Sequence, residues 1–220
     1  MRIAEIFYSV QGEGTLVGVP SVFVRSSGCN LRCSWCDTPY TSWNPEGEER
    51  SLQSIIEEVD AFQAKHVVVT GGEPMIAPEI GELTRRLSGH LTIETAGTVD
   101  ADVRCDLMSI SPKLANSTPE GRFAAQHERS RHRPAVLRSL MGRFEYQLKF
   151  VVVSTGDINE IRSLIQETDA DPSRIVLMPE GIDAAVLAER GRWVVDLCKQ
   201  EGFRYSPRLH VDLWGARRGV

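Results

Sequence analysis

The stretch "GCNLRCSWCDTPYTSW", Gly28–Trp43, places three cysteines within eight residues. Cys29 and Cys33 have three residues between them, whereas Cys33 and Cys36 have two. A structural zinc site needs four protein ligands in a closed tetrahedron, and a secreted disulfide scaffold distributes its cysteines along the chain. This loop offers three thiols and then stops. It therefore predicts a metal group that is held by three protein ligands.

Thiolates are soft ligands, which suit zinc, copper(I) or iron–sulfur clusters. An iron–sulfur cube has four iron corners, each normally held by a cysteine. Three cysteines leave the fourth iron open, where it can chelate a substrate or cosubstrate and pass an electron to it. The spacing therefore favours cluster chemistry. A zinc site completed by a distant histidine, His66 or His210, stays open as the alternative at this stage.

The composition limits the kind of protein before further motifs are considered. The 220 residues, 41% hydrophobic and 25% charged, suit one domain over residues 1–220. A formal charge of −5 argues against a general nucleic-acid binder. Without a signal peptide or an apolar run of about 20 residues, we expect a cytoplasmic protein that does not enter a membrane. Cys105 and Cys198 stand alone and are expected to be small buried side chains.

Short apolar runs alternate with amphipathic stretches along the chain. Apolar residues at helical spacing from Leu52 to Val59, behind a Ser51 cap, predict a helix. Further helices are predicted in 78–88, 158–167 and 184–202, and strands in 21–27, 66–71, 91–98, 105–113, 146–154, 174–181 and 204–210.

This alternation is typical of parallel βαβ units with right-handed crossovers. About six such units form an incomplete (β/α) barrel or an open doubly wound sheet, and in both architectures ligands gather at the carboxyl ends of the strands. Residues 114–141 are rich in arginine, histidine and proline, and we predict an irregular excursion there with some helix near its end.

The spacing Cys29-x3-Cys33-x2-Cys36, with the aromatic Trp35 before the last cysteine, resembles the signature of the radical S-adenosylmethionine (SAM) enzymes. The next strand ends in "GGEP" (71–74), which resembles that family's motif for the amino group of SAM. The resemblance implies an incomplete (β/α)6-type barrel with mostly parallel strands and abbreviated helices. It also implies a [4Fe–4S] cluster that chelates SAM and reduces it to methionine and a 5′-deoxyadenosyl radical.

The order of "VQGEG" (10–14), the cysteine loop, "GGEP", "ETAGT" (94–98) and "SPK" (111–113) is similar to the 7-carboxy-7-deazaguanine synthase family over nearly the whole chain. The similarity is weakest in 114–141. That family converts 6-carboxy-5,6,7,8-tetrahydropterin to 7-carboxy-7-deazaguanine with release of ammonia, in queuosine biosynthesis. The resemblance implies catalytic use of SAM, a need for Mg²⁺, a homodimer, and a flavodoxin- or ferredoxin-type reductant.

The same resemblance assigns residues to the pterin substrate. An amide and a carboxylate in one turn suit the donor–acceptor edge of a pterin, and the fork of an arginine suits the substrate carboxylate. Alone, such a turn is more typical of a polar hairpin, and a chain terminus is often disordered. The implied substrate residues are Val10, Gln11, Gly12, Glu13, Arg25, Thr70, His210 and Val220, the last two in a tail, 209–220, that closes the site.

Other residues are assigned to SAM. Paired glycines let the backbone approach a ligand closely, and carbonyl or carboxylate oxygens accept hydrogen bonds from an ammonium group. The SAM-binding residues implied by the resemblance are Trp35, Asp37, Gly72, Glu73, Glu94, Ser111, Pro112, Lys113, Met178, Pro179, Glu180 and Gly181. Several family members carry glutamine near position 178, and this departure leaves the contacts of 178–181 open.

The metal ligands implied are Cys29, Cys33 and Cys36 for the cluster and Thr38 for Mg²⁺. A single neutral oxygen is a poor magnesium site, so the substrate carboxylate and water would have to complete the octahedron. No residue is assigned as a permanent general acid or base.

Three other interpretations stay open. A glycyl-radical activase shares a loop of this kind, but it acts on a protein glycine and does not need "VQGEG" together with Arg25. A single-cluster electron carrier would not cleave SAM, and it leaves "GGEP" and "SPK" unexplained. A zinc-stapled interaction domain would be colourless and contain zinc.

Overall fold

The computed structural model describes all 220 residues, and its backbone is organised around one sheet of nine strands. The strands are β1 (Arg2–Val10), β2 (Pro20–Ser26), β3 (Glu48–Glu49), β4 (His66–Gly71), β5 (His90–Thr95), β6 (Leu107–Ile110), β7 (Tyr146–Val152), β8 (Ile175–Pro179) and β9 (Arg204–Tyr205). Their order across the sheet is β3-β1-β2-β4-β5-β6-β7-β8-β9.

Every pair from β2 to β9 is parallel, whereas β1 runs antiparallel to both β2 and β3. The predicted α/β architecture with mostly parallel strands is therefore confirmed. The first and last strands in the sheet order, β3 and β9, do not pair with each other, so the barrel is incomplete.

Eight α-helices connect and flank the strands. They are α1 (Pro39–Ser42), α2 (Leu52–Ala61), α3 (Ile80–Arg86), α4 (Ala124–Arg131), α5 (Pro134–Arg143), α6 (Ile158–Thr168), α7 (Ala184–Glu201) and α8 (Leu209–Trp214). None of them combines the length and the apolar character that crossing a bilayer requires.

Local sequence explains where the longer helices begin and end. The Ser51 side chain accepts a hydrogen bond from the Ser54 amide and so caps α2, as its sequence predicts. Asp183 caps α7 in the same way. Helix α7 is terminated by the following residue, Gly202, whose φ of 74° is the left-handed conformation that glycine adopts without strain.

The strands have two different faces because successive side chains point to opposite sides of a sheet. In β7, Leu148 and Phe150 are fully buried in the main apolar cluster, whereas Lys149 between them faces a polar cavity. On β5, Ile93 is likewise buried in the apolar cluster and its neighbour Glu94 faces the cavity. The hydrophobic core therefore lies on one face of the sheet, and the other face is available for a ligand.

Residues 114–141 are more regular than the excursion that their sequence indicates, although the helix predicted near its end is present as α5. The segment contains two 3-10 turns, then α4 and most of α5. Helix α4 buries only His127, so no apolar periodicity marks it, and α5 begins at Pro134, a residue that sequence patterns associate with breaks. The strand predicted in 204–210 is also shorter, because β9 spans two residues and α8 follows.

The position of the core predicts that two leucines contribute very differently to the free energy of unfolding. We expect Leu148→Ala, at a fully buried position, to lower the free energy of unfolding by about 2–5 kcal/mol, because it removes apolar contacts and leaves a cavity. Leu213→Ala, at a side chain that is 56% exposed, should change it by less than about 0.5 kcal/mol. Chemical denaturation measures both, and equal effects would contradict the assigned core.

Candidate functional site

A cavity of about 590 Å³ opens on the polar face of the sheet, toward the carboxyl ends of the parallel strands. Side chains from the strands, the cysteine loop, the "VQGEG" turn and the chain terminus all line it. Of the residues predicted from sequence, the lining includes Val10, Gln11, Gly12, Glu13, Arg25, Cys29, Cys33, Trp35, Cys36, Asp37, Thr38, Thr70, Gly72, Glu94, Ser111, Lys113, Met178, Glu180, His210 and Val220. Glu73, Pro112, Pro179 and Gly181 do not line it.

The three cysteines of the loop after β2 all reach this cavity, and none is in a disulfide. Burial raises the pKa of Cys29 to about 12 and that of Cys33 to about 11, so neither thiol ionises readily by itself. A bound cationic metal group removes this penalty, because metal ions bind the thiolate form. The donor set therefore fits a thiolate-ligated metal group.

The arrangement of the cysteines distinguishes between the two metal groups considered. No set of three or more His, Cys, Asp or Glu side chains is placed to hold a single ion. An iron–sulfur cube does not need such convergence, because each cysteine binds a different iron. His66, one of the two candidates for a fourth zinc ligand, begins β4 and packs against His90, with ring centroids 4.8 Å apart. It lies at the opposite end of the strand from the loop.

The paired glycines after β4 bring two backbone segments together. The Gly71 φ of +132° is left-handed, and a Cβ there would lie 2.1 Å from the Ser26 carbonyl oxygen. A Cβ on Gly72 would lie 2.1 Å from the Gly28 carbonyl oxygen. The Glu73 amide donates to that same Gly28 oxygen at 2.9 Å. The glycines are therefore required by the approach of the cysteine loop, in addition to any ligand.

Glu73 supports the backbone rather than facing the cavity. Its carboxylate, 1% exposed, accepts hydrogen bonds from the Thr95 hydroxyl at 2.7 Å, the Ala96 amide at 2.8 Å and the Met75 amide at 3.1 Å. Burial raises the pKa of this carboxyl. Its oxygens are thus occupied in joining the end of β4 to the end of β5.

A buried ion-pair network centres on Arg208, which precedes α8. Its Nε lies 3.0 Å from the Glu13 carboxylate, and its two terminal nitrogens donate to the Asp37 carboxylate and, at 2.5 Å, to the Gly181 carbonyl. One guanidinium therefore joins the "VQGEG" turn, the cysteine loop and the loop after β8. Its planar fork suits three acceptors at once.

Lys149 of β7 binds the other oxygen of Glu13. Burial raises the pKa of Glu13, but the charges of Lys149 and Arg208 outweigh burial and leave that pKa well below its ordinary value. Glu13 is therefore ionised at neutral pH, beside a cavity in which it can accept hydrogen bonds.

A second polar group joins β4, β5 and the "VQGEG" turn. The Glu94 carboxylate accepts from the Thr70 hydroxyl at 2.7 Å and from the Gln11 amide nitrogen at 3.1 Å. The Gln11 amide oxygen in turn accepts from the Glu13 amide at 3.1 Å. These contacts fix the side chains of Gln11 and Thr70, both assigned to the substrate, against Glu94, assigned to SAM.

Arg25 is held on one edge only. Its Nε donates to the Glu5 carboxylate at 2.7 Å, and the Tyr40 hydroxyl donates to the same Glu5 oxygen at 2.8 Å. The terminal nitrogens of Arg25 form no hydrogen bond within the protein, so they are available to a carboxylate in the cavity. Thr38 also lines the cavity, with its hydroxyl 3.9 Å from the Cys36 sulfur.

The "SPK" turn places Ser111 and Lys113, but not Pro112, at the cavity. The Lys113 ammonium donates to the carbonyl and the hydroxyl of Ser111, each at 2.8 Å, and lies 5.9 Å from the centroid of the Trp35 ring. After β8, Glu180 pairs with Arg190 of α7, and Gly181 contributes its carbonyl to Arg208.

The chain terminus folds over the cavity. The Leu209 amide donates to the Gly12 carbonyl at 2.9 Å, and a Cβ on Gly12 would lie 2.1 Å from Nδ1 of His210. Near the end, the Arg218 guanidinium lies 3.4 Å from the centroid of the Tyr40 ring and pairs with Glu46 at 3.0 Å. Both contacts bring 209–220 to the mouth of the site, where Val220 is part of the lining.

The polar lining residues that were missed from sequence include Glu5, Ser109, Lys149 and Arg208. Lys149 carries a detectable signal, because a lysine inside the apolar run "YQLKFVVV" cannot be buried without a charged partner. Ser109 carries a weaker signal, as a buried polar residue inside the apolar run "LMSI". Glu5 and Arg208 have no comparable local signal.

Three comparisons with known proteins point to the same group of enzymes. Residues 23–118 match the radical SAM superfamily. A 7-carboxy-7-deazaguanine synthase of Halobacterium salinarum is 46% identical over 97% of this chain and 90% of its own length. A 7-carboxy-7-deazaguanine synthase of Rhodopirellula baltica is 43% identical over 100% of this chain and 89% of its own length. The crystal structure of QueE from Escherichia coli superposes with a TM-score of 0.71 at 26% identity, covering 95% of this chain and 94% of the other.

The Arg208 network predicts a selective loss of stability. We expect Arg208→Met to lower the free energy of unfolding by about 3 kcal/mol, because it leaves buried acceptors without their donor. Arg208→Lys should lie between Met and the wild type, since an ammonium keeps the charge but loses the fork. Arg162→Met removes an exposed ion pair with Glu201 and should have almost no effect. Denaturant titration separates them, and equal losses at 208 and 162 would contradict the network.

Histidine burial predicts how stability changes with pH. Burial lowers the pKa of His127 and of His210 below the ordinary 6.5. At a pH just below 6.5 these histidines are protonated in the unfolded chain but still neutral in the folded chain. The free energy of unfolding is therefore highest above pH 6.5 and falls as the pH decreases below it. Urea titrations of the metal-free protein at pH 7.5, 6.5 and 5.5 should show this decline. A shallower slope is expected for His210→Gln, whereas stability that rises toward pH 5.5 would refute the assignment.

Proposed function

The chain belongs to the family of 7-carboxy-7-deazaguanine synthases, and from this premise we propose that it contracts the ring of 6-carboxy-5,6,7,8-tetrahydropterin to give 7-carboxy-7-deazaguanine and ammonia, in queuosine biosynthesis. Substrate and product differ by one molecule of ammonia, so the reaction needs no external oxidant. The observation that carries the proposal is that one cavity brings three free cysteine thiols together with an ionised glutamate and an arginine that keeps free donors.

In this proposal Cys29, Cys33 and Cys36 hold a [4Fe–4S] cluster whose fourth iron is open to SAM. When bound, the cluster and SAM supply the radical that removes a hydrogen atom from the substrate. Lys113 and Ser111, which are hydrogen-bonded to each other, would donate toward SAM from one side, and the Trp35 ring beside the Lys113 ammonium would lie against it. Glu94, Gly72, Asp37, Met178 and Glu180 also line the cavity. Glu94 and the backbone of Gly72 would complete the SAM side, and the other three would lie at its rim.

Glu73, Pro112, Pro179 and Gly181 act differently in this proposal, because they do not line the cavity. Glu73 fixes the ends of β4 and β5, and Gly181 is an acceptor for Arg208. We therefore assign them to the support of the SAM side rather than to direct contact.

The chain's own residues would orient the pterin at the opposite wall. Glu13, kept ionised by Lys149 and Arg208, would accept from the donor edge of the pterin ring. The free nitrogens of Arg25 would pair with the substrate carboxylate. Gln11 and Thr70 are positioned through Glu94, and Val10 and Gly12 supply backbone at the turn.

The terminal segment would close the site. His210 and Val220 line the cavity beside the turn that we assign to substrate, so 209–220 would exclude water from a radical that reacts with stray hydrogen donors. In this proposal the whole reaction takes place within one domain of residues 1–220.

In this proposal the protein supplies fewer ligands to Mg²⁺ than to the cluster. Thr38 offers a single hydroxyl oxygen, so the substrate carboxylate and water would supply the other positions of the octahedron. Binding of metal and of substrate would then depend on each other. A flavodoxin- or ferredoxin-type carrier would supply the electron, and the enzyme would act as a homodimer in the cytoplasm, where thiols stay reduced.

The experiment is anaerobic turnover. Purified, reconstituted protein is incubated with SAM, dithionite, Mg²⁺ and 6-carboxy-5,6,7,8-tetrahydropterin, and product, ammonia, methionine and remaining SAM are quantified. We expect 7-carboxy-7-deazaguanine and ammonia in equal amounts, with most SAM conserved. Cys33→Ala should abolish product because it removes one cluster ligand. Methionine that forms in proportion to the SAM consumed, with no 7-carboxy-7-deazaguanine produced, would contradict the proposal.

A further inference from the structure

The segment that follows "SPK" packs directly against the cysteine loop. This support segment, residues 114–131, contains two 3-10 turns (Ala115–Ser117 and Gly121–Phe123) and α4. The Ser34 amide donates to the Ser117 carbonyl at 2.9 Å, and the Trp35 indole nitrogen donates to the Asn116 carbonyl at 3.0 Å. The loop between the cysteines therefore gains hydrogen-bond partners from outside itself.

The buried contact between these segments is made by His127, whose side chain is 1% exposed. Its Nδ1 accepts from the Arg32 backbone amide at 3.1 Å, and Arg32 lies between Cys29 and Cys33. Because Nδ1 accepts, the ring proton is on Nε2, which donates to the Ser117 hydroxyl at 2.9 Å. That hydroxyl donates onward to the Leu114 carbonyl at 2.6 Å.

The hydrogen bonds form one directed chain from the loop to the turn after "SPK". Each polar atom of His127 and the Ser117 hydroxyl has a partner, which a buried polar group requires. The Arg32 amide donates to a side chain, so the position of this backbone depends on the imidazole.

We propose that His127 is a positioning residue for the cluster, which fixes the backbone between Cys29 and Cys33 and thereby controls how tightly the cluster is retained. The inference rests on the proposed cluster at the three cysteines. It assigns to the support segment a role that its polar sequence does not indicate. Hydrogen bonding around cluster ligands also sets the reduction potential, so a change at His127 should move that potential as well.

Two variants separate the two ring nitrogens. In His127→Asn the amide oxygen is bonded to Cγ, as Nδ1 is, so it can still accept from the Arg32 amide. In His127→Gln the amide lies one carbon farther out, where it can reach Ser117 but leaves the Arg32 amide without an acceptor. His127→Leu removes both contacts.

The test measures iron release from anaerobically reconstituted protein that is challenged with an iron chelator. We expect release from His127→Gln and His127→Leu about tenfold faster than from the wild type, the factor that a lost hydrogen bond of about 1.4 kcal/mol gives. His127→Asn should remain close to the wild type. The midpoint potential should shift in the first two variants and not in Asn. Thermal melts of the metal-free proteins report loss of fold separately.

Two outcomes would overturn the inference: Gln releasing iron at the wild-type rate, or Asn releasing it as fast as Gln. If neither variant folds, Ser117→Ala decides. Without the Ser117 hydroxyl nothing keeps the ring proton on Nε2, so Nδ1 can become protonated and stop accepting from the Arg32 amide, a loss that the amide oxygen in His127→Asn avoids because it has no tautomer. Ser117→Ala should therefore accelerate iron release, and an unchanged rate would refute the proposal. If the wild-type protein assembles no cluster at all, the proposed function fails instead, so the two failures are distinguishable.

Discussion

Successive side chains of a β-strand point to opposite faces of a sheet, and this constraint divides the parallel strands of the protein into an apolar face and a polar face. On β7, Leu148 and Phe150 pack in the core, while Lys149 between them reaches the cavity. The same division places Glu94 of β5 in the cavity beside an adjacent core residue, Ile93. Stability and ligand binding thus use alternate residues of the same strands.

Charges on the polar face require partners that the sheet alone does not provide. Lys149 is 5% exposed, and its carboxylate partner comes from the turn after β1. Arg208 then joins that same Glu13 to Asp37 and to the Gly181 carbonyl. Because a buried charge is costly without a partner, these contacts tie the terminal segment to the cavity. The site is therefore completed by parts of the chain that lie far apart in sequence.

The cysteine loop depends on its neighbours in a similar way. It has no regular structure before α1, and its amides find acceptors in other segments, such as the Ser117 carbonyl and His127. The glycines at 71 and 72 let the end of β4 approach its backbone closely. A loop held from several sides can keep three thiols in one geometry while a metal group binds, because its conformation is already selected.

The sequence by itself determined the cysteine loop, the glycine turn and the alternation of strands and helices, because spacing and periodicity within short stretches reflect local backbone geometry. It did not reveal α4, which buries only His127, or the role of Arg208. The contacts of Glu13 with Lys149 and Arg208 join residues 136 and 195 positions apart, so only the placement of strands and terminus decides them. Local patterns define the elements, whereas the pairing of buried charges depends on how those elements meet.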